Sequence, residues 1–177
     1  MTFAERLTRW DGWLIDQLFQ PLADRLPFER AAIQLGMSFQ LGSLMLTAMA
    51  LLMPIVLLGA SFGDTVDSCL ILLMNFAFFM GMKRSAPLVR AGMMNPLRPM
   101  LMAQRLISIA FVLYQAWWCL GAHGIMFDVS FVMLLSQITF VLGLYFVACQ
   151  PRPPRARFAQ KNGQIIDGPW STSGQLR

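Results

Sequence analysis

The chain has 177 residues, of which 56% are hydrophobic and only 13% charged, about half the charged share of a soluble domain. Its 14 Lys and Arg against 9 Asp and Glu give a net charge of +5, which in a soluble protein would raise the question of nucleic-acid binding. The apolar residues come instead in long uninterrupted blocks flanked by the basic ones, a distribution that points to a bilayer and argues against direct nucleic-acid binding.

Thr2-Phe3-Ala4-Glu5 has the Thr-x-x-Glu form of a capping box and predicts a helix starting at residue 2 or 3. On a helical wheel Phe3, Leu7, Trp10, Leu14, Leu18 and Leu22 gather on one face while Glu5, Arg9, Asp16 and Gln20 lie opposite. The segment is amphipathic, and Trp10 and Trp13 add interfacial anchors. Phe3, Leu7, Trp10, Trp13, Leu14 and Leu18 are therefore the expected contacts to the membrane interface or to a partner. The plainer alternative is a helix that covers the protein's own bundle. The first 30 residues carry nine charges and no continuous apolar h-region, so a cleavable signal peptide is not expected.

Residues 31 to 63 hold no charge, ample for a first span of about 20 residues; its greasiest part is 41 to 58, and the late Pro54 can kink or end it. A tight loop is expected at 61 to 67, with Asp64 and Asp67. The second span, roughly 66 to 82, is the shortest of the set, since only residues 68 to 82 are free of charge; a re-entrant or interfacial segment is the alternative there. Residues 83 to 99 form a basic, proline-bearing loop with Lys83, Arg84, Arg90 and Arg98, and Asn95-Pro96 marks a turn within it. A third span runs from about 100 to 121, with Arg105 snorkelling from its start and Trp117 and Trp118 at its far end in the aromatic belt. A second short loop at 121 to 128 leads into a fourth span, 129 to 149.

The expected fold is therefore all-α: a polytopic membrane protein of four transmembrane helices in two hairpins, preceded by an amphipathic N-terminal helix. It divides into an N-terminal segment (1–30), a four-helix domain (31–149) and a basic tail (150–177) rich in Pro, Gly, Ser and Gln. With four spans all fourteen basic residues fall on one side, and the two short opposite loops hold only Asp64, Asp67 and Asp128. The positive-inside rule then puts both termini and the central loop in the cytoplasm.

Chemistry-bearing motifs are sparse. His123 is the single histidine, so no multi-histidine metal site or histidine dyad can form within one chain. There is no HExxH, GxSxG or Walker A pattern, and no enzyme activity, cofactor or metal is expected. Within the spans the substantial polar groups read as Asn75, Gln115 and Gln137, for which hydrogen bonding between helices is the expected role. Ser38 with Gly42, Ser43 with Thr47, and Ala77 with Gly81 are small pairs four apart that allow close helix approach. Cys69, Cys119 and Cys149 have no CxxC spacing; three buried thiols are expected, with one Cys69–Cys119 disulfide as the alternative.

The amphipathic start, the two charge-free hairpins and a short polar tail containing Asn162-Gly163-Gln164-Ile165-Ile166-Asp167-Gly168 together resemble the plan of the small multi-pass inner-membrane subunits of conjugative type IV secretion systems. The resemblance covers architecture and assigns no functional residue. It implies a non-enzymatic structural subunit of a bacterial inner-membrane assembly, whose partners are the lipid bilayer and other membrane-protein subunits. A small oligomeric transporter or channel is the alternative, and a membrane-bound enzyme a weaker third.

Overall fold

The computed structural model describes residues 3–26, 31–59, 61–90 and 93–151, and these are helical with no strand among them. Helix α1 (Phe3–Leu14) passes through a widened π turn (Ile15–Phe19) into the short α2 (Gln20–Asp24). Four long helices follow: α3 (Ala31–Pro54), α4 (Phe62–Ser85), α6 (Met102–Gly121) and α7 (Ile125–Ala148), with the one-turn α5 (Leu97–Met100) between α4 and α6.

Three stretches are long and apolar enough to cross a membrane: Ala32–Gly59, Phe62–Leu88 and Ile125–Ala148, with mean hydropathies of 2.3, 1.6 and 2.1. The second-span segment, shortest by its charge-free run, is one of them. α4 has 24 residues, about 36 Å of helix, because its charges sit at its ends. Ser61 and Asp64 form a capping box, each side chain meeting the other residue's backbone N–H, so the residues expected as a loop are the first turns of the helix. At the other end Lys83 and Arg84 occupy the last turn, where cations offset the helix dipole. The long helix outside that set is α6, which carries Gln104, Arg105 and Gln115.

Pro54 does not end the first span. The residues after it, Ile55–Gly59, take a π-helical turn, a local adjustment to the missing donor and bulky ring, and the chain leaves through Gly59 at φ 71°, the left-handed conformation that suits a helix-ending glycine. The second hairpin turns in the few residues around Gly124, at φ 60°, and α7 begins at Ile125, earlier than the expected residue 129.

α3 and α7 form the central pair, α4 packs on α3, and α6 packs on α7. The α3–α7 seam keeps one face of each helix, at spacings of four, three and four residues on α3 and of three and four on α7. Gly36 meets Gly143, Gln40 meets Phe140, and Ser43 and Thr47 meet Ser136. A Cβ on Gly36 would stand 2.8 Å from the Gly143 carbonyl oxygen, and one on Gly143 would stand 2.9 Å from that of Gly36; glycine is what lets the two backbones touch. One turn on, Gln40 Nε2 donates to the Phe140 carbonyl at 2.8 Å. Beyond it the Ser136 hydroxyl donates to the Ser43 carbonyl at 2.9 Å and lies 2.6 Å from that of Thr47.

Of the small pairs expected from sequence, Ser43 with Thr47 lies in this seam. Gly42 only grazes Thr139, Gly81 faces open space, and Ser38 is exposed. Gln115 donates across to the Ser130 carbonyl at 3.3 Å, whereas Asn75 bonds back to Ile71 of its own helix. The interhelical role expected of Asn75 belongs to Gln40. The three cysteines are free thiols, and Cys69, expected to be buried, is exposed.

Candidate functional site

Burial is concentrated at one end of the bundle, where the N-terminal helix, the segment after α4 and the end of α7 converge. Asp11, Ile15, Phe19 and Ala23 are all buried and recur every four residues, a spacing that drifts around a regular helix of 3.6 residues per turn. The π turn at Ile15–Phe19 takes up that drift with its wider i→i+5 turn and holds the four side chains against α6 and α7. Phe19 stacks on Tyr145 with ring centroids 4.6 Å apart and meets Phe146 edge-on at 5.5 Å.

The centre of this end is a buried ion pair. Arg105, 1% exposed, donates from Nε to Asp11 Oδ1 at 2.9 Å and from Nη2 to Asp11 Oδ2, a bidentate arrangement. Tyr145 Oη donates to the same carboxylate at 3.0 Å, and Arg105 Nη2 also donates to the Arg98 carbonyl at 2.9 Å. The Arg105 guanidinium lies 5.5 Å from the Tyr145 ring centre, so the ring has Arg105 on one side and Phe19 stacked on it. Arg105 Nη1 is buried with no hydrogen-bond partner among the described residues. The expectation that Arg105 snorkels to the headgroups is thus corrected. A guanidinium this deep needs a carboxylate, and Asp11, 94 positions away, supplies it.

Around the pair the ends of the helices are fastened by bonds between side chains and backbone. Asn95 Nδ2 donates to the carbonyls of Val147 and Cys149, both at 2.8 Å, satisfying acceptors that the last turn of α7 leaves without a helical partner. Asn95 Oδ1 accepts from the Leu97 N–H at 2.9 Å and so starts α5. Gln20 and Gln150 make a reciprocal pair, Nε2 to carbonyl at 3.1 Å and backbone N–H to Oε1 at 2.9 Å. At the rim Arg98 reaches Asp16 at 2.8 Å, a half-exposed pair of modest worth.

The sequence-derived contacts divide. Leu14 packs against the core cluster around Phe19 and Tyr145, and Leu7 is half-buried. Trp10, Trp13 and Leu18 are 69%, 57% and 51% exposed and point away from the bundle; the Phe3 side chain lies outside the described residues. One side of this helix therefore covers the bundle, and on the other Trp10, Trp13 and Leu18 are exposed beside Arg6, Arg9 and Gln17. Among the basic residues Lys83, Arg84 and Arg90 are exposed and Arg98 is half-buried against Asp16. The basic residues of 152–177 and the Asn162–Gly168 stretch lie outside the described residues.

Asp11 and Gln40 escaped the sequence reading. Asp11 carried a signal, the four-residue recurrence with Ile15, Phe19 and Ala23, and a lone arginine in a long apolar segment implies a carboxylate somewhere in the chain. His123 is exposed in the turn before α7, beside a cleft of about 520 Å³ lined by Trp117, Trp118, Met126 and Ser130. No group of three metal-ligating side chains occurs among the described residues. Asp11, Arg105 and Tyr145 bond to one another, and the arrangement ties α1, α6 and α7 together. Comparison with protein-family models, with curated proteins and with solved structures returns no match.

Proposed function

We propose that this chain is a four-span protein of a bacterial inner membrane, with both termini and the central loop in the cytoplasm, that acts as a non-enzymatic structural subunit of a larger membrane assembly. The observation that carries the reading is the contrast between satisfied buried polar groups and uncovered flanks. The polar side chains of the α3–α7 seam bond inside the chain, while the outer helices are left open along their length. On α4, Leu70, Leu73, Met74 and Phe76 are exposed, and on α6, Phe111, Leu113, Tyr114, Trp117 and Leu120. Such flanks offer lateral contact to lipid and to neighbouring subunits.

Topology has its own support. The described lysines and arginines sit in α1, at Arg25 just after α2, in the segment from Lys83 to Arg98, and at the start of α6, regions held at one end through Asp11, Asp16 and Asn95. Asp64, Asp67 and Asp128 belong to the first turns of the helices that begin at the opposite end. That partition favours a basic end in the cytoplasm. The outward face of Trp10, Trp13 and Leu18 then lies at the headgroup level, where tryptophan is favoured, or against another subunit. A conjugative DNA-transfer system is the assembly whose small inner-membrane subunits share this plan.

The test is a mild-detergent pull-down of the tagged protein from its native membrane, with mass spectrometry of whatever co-purifies in near-equal amount. Recovery of secretion ATPases or other transfer-channel subunits supports the reading. Recovery of the protein alone as a defined homo-oligomer replaces it with a small transporter or channel. For topology, cysteines introduced at Asp64 and Asp128 are expected to react with membrane-impermeant reagents only from outside; labelling from the cytoplasmic side alone would overturn the four-span arrangement.

A further inference from the structure

α3 and α4 meet along one edge and part along the other. On the closed edge Met82 is buried with Ile33, and Phe78 reaches past α3 to pack on Phe140 of α7 at 5.4 Å. On the open edge lies a cleft of about 520 Å³ between Gln34, Ser38 and Leu41 of α3 and Phe79 and Lys83 of α4, floored by Met37. Residues 34, 38 and 41 share one face of α3, and 79 and 83 one face of α4, by the three- and four-residue spacing of a helix.

The lining is graded along the helix axis. Nearest the basic end stand Gln34 and Lys83, the latter exposed in the last turn of α4, with Ala86 and Pro87 beside them; Phe79 lies about one turn deeper along α4 and Leu41 about two turns deeper along α3. No carboxylate lines the cleft. The Ser38 hydroxyl is turned back onto the Gln34 carbonyl at 3.0 Å, which leaves the Lys83 ammonium as the charge at the mouth. A cationic rim above an apolar bed, open on its flank, has the amphiphilic polarity of a phospholipid with a negatively charged headgroup, and basic pockets between membrane helices take such headgroups. An apolar segment of a partner would leave Lys83 without a counter-charge. We propose that this cleft binds one anionic phospholipid, its phosphate at Lys83 and one acyl chain along Met37, Leu41 and Phe79. The site depends on the chain residing in a bilayer and is independent of the assembly it belongs to.

The experiment is native mass spectrometry of the full chain in a mild non-ionic detergent, with phosphatidylglycerol or phosphatidylcholine of identical acyl chains added. One phosphatidylglycerol is expected to survive detergent removal in preference to phosphatidylcholine by about fivefold. Lys83→Ala is expected to erase that preference, and Arg25→Ala, which removes an exposed charge outside the cleft, to leave it intact. Ser38→Phe fills the cleft from an exposed position and is expected to lose both lipids, with an unchanged melting temperature as the control for folding. Equal retention of the two lipids by the unaltered chain, or an equal effect of Arg25→Ala and Lys83→Ala, overturns the proposal. So does photocrosslinking from position 38 to a polypeptide rather than to lipid.

Discussion

The two ends of this bundle are built on different terms. At the basic end a run from Gly143 to Cys149 is buried without interruption, Asp11, Arg105 and Tyr145 form a connected polar interior, and the buried Asn95 holds the end of α7 separately. At the opposite end Val56, Phe62, Trp117 and Leu120 are 80%, 86%, 77% and 83% exposed, and little holds one hairpin to the other. In a bilayer apolar surface gains little by turning from lipid to protein, so an end without polar bonds or close backbone contact has little to draw it shut. Cohesion is supplied where polar groups must be paired and where glycines allow backbones to touch.

That comparison can be broken at its strongest point first. Asp11→Ala leaves the Arg105 guanidinium buried without a carboxylate and is expected to cost about 3 to 5 kcal/mol, read as a lower unfolding midpoint in detergent. The double change Asp11→Ala with Arg105→Met is expected to recover most of that loss, since the penalty is the orphaned charge more than the missing pair; a double variant as unstable as the single would refute this account. Gly143→Val forces a side chain onto the Gly36 carbonyl and Gln40, and is expected to cost about 1 to 3 kcal/mol by the same measurement. Ser136→Ala removes the hydroxyl shared by Ser43 and Thr47, for which a loss of about 1 kcal/mol is expected. At the open end Trp118→Ala is expected to shift the midpoint by no more than about 0.5 kcal/mol, and a larger effect would mean that end is held by contacts of its own.

The helices were legible because their blocks of apolar residues are long, and the shared end because basic residues cluster there. Boundaries failed for a physical reason. Asp64 looks like loop chemistry in an apolar chain, yet a carboxylate three residues after Ser61 is what a capping box requires, so α4 gained a turn that charge counting had removed. The buried ion pair was hidden by sequence separation and by the π turn, since a regular wheel rotates Asp11 away from Ala23 and gives prominence to the leucine face instead. Trp10 and Leu18 of that face are exposed, as is Trp13 outside it, while Leu14 of the same face packs on the core. Gln40 was passed over as one polar residue in a greasy span, although its amide reaches the α7 backbone at the step after the glycine contact.

The α3–α7 seam also sets an order of events during biosynthesis. Gln40 and its acceptor Phe140 are 100 residues apart, an interval that a ribosome takes about 5 to 20 s to translate. Throughout that interval the first span sits in the bilayer before its partner exists. Ser43 and Thr47 can wait by bonding to carbonyls one turn back in their own helix, but the longer Gln40 amide has no such ready refuge in hydrocarbon. The waiting state is therefore least comfortable at Gln40, the position from which an insertion factor or an early neighbour would gain most by shielding α3 until α7 arrives.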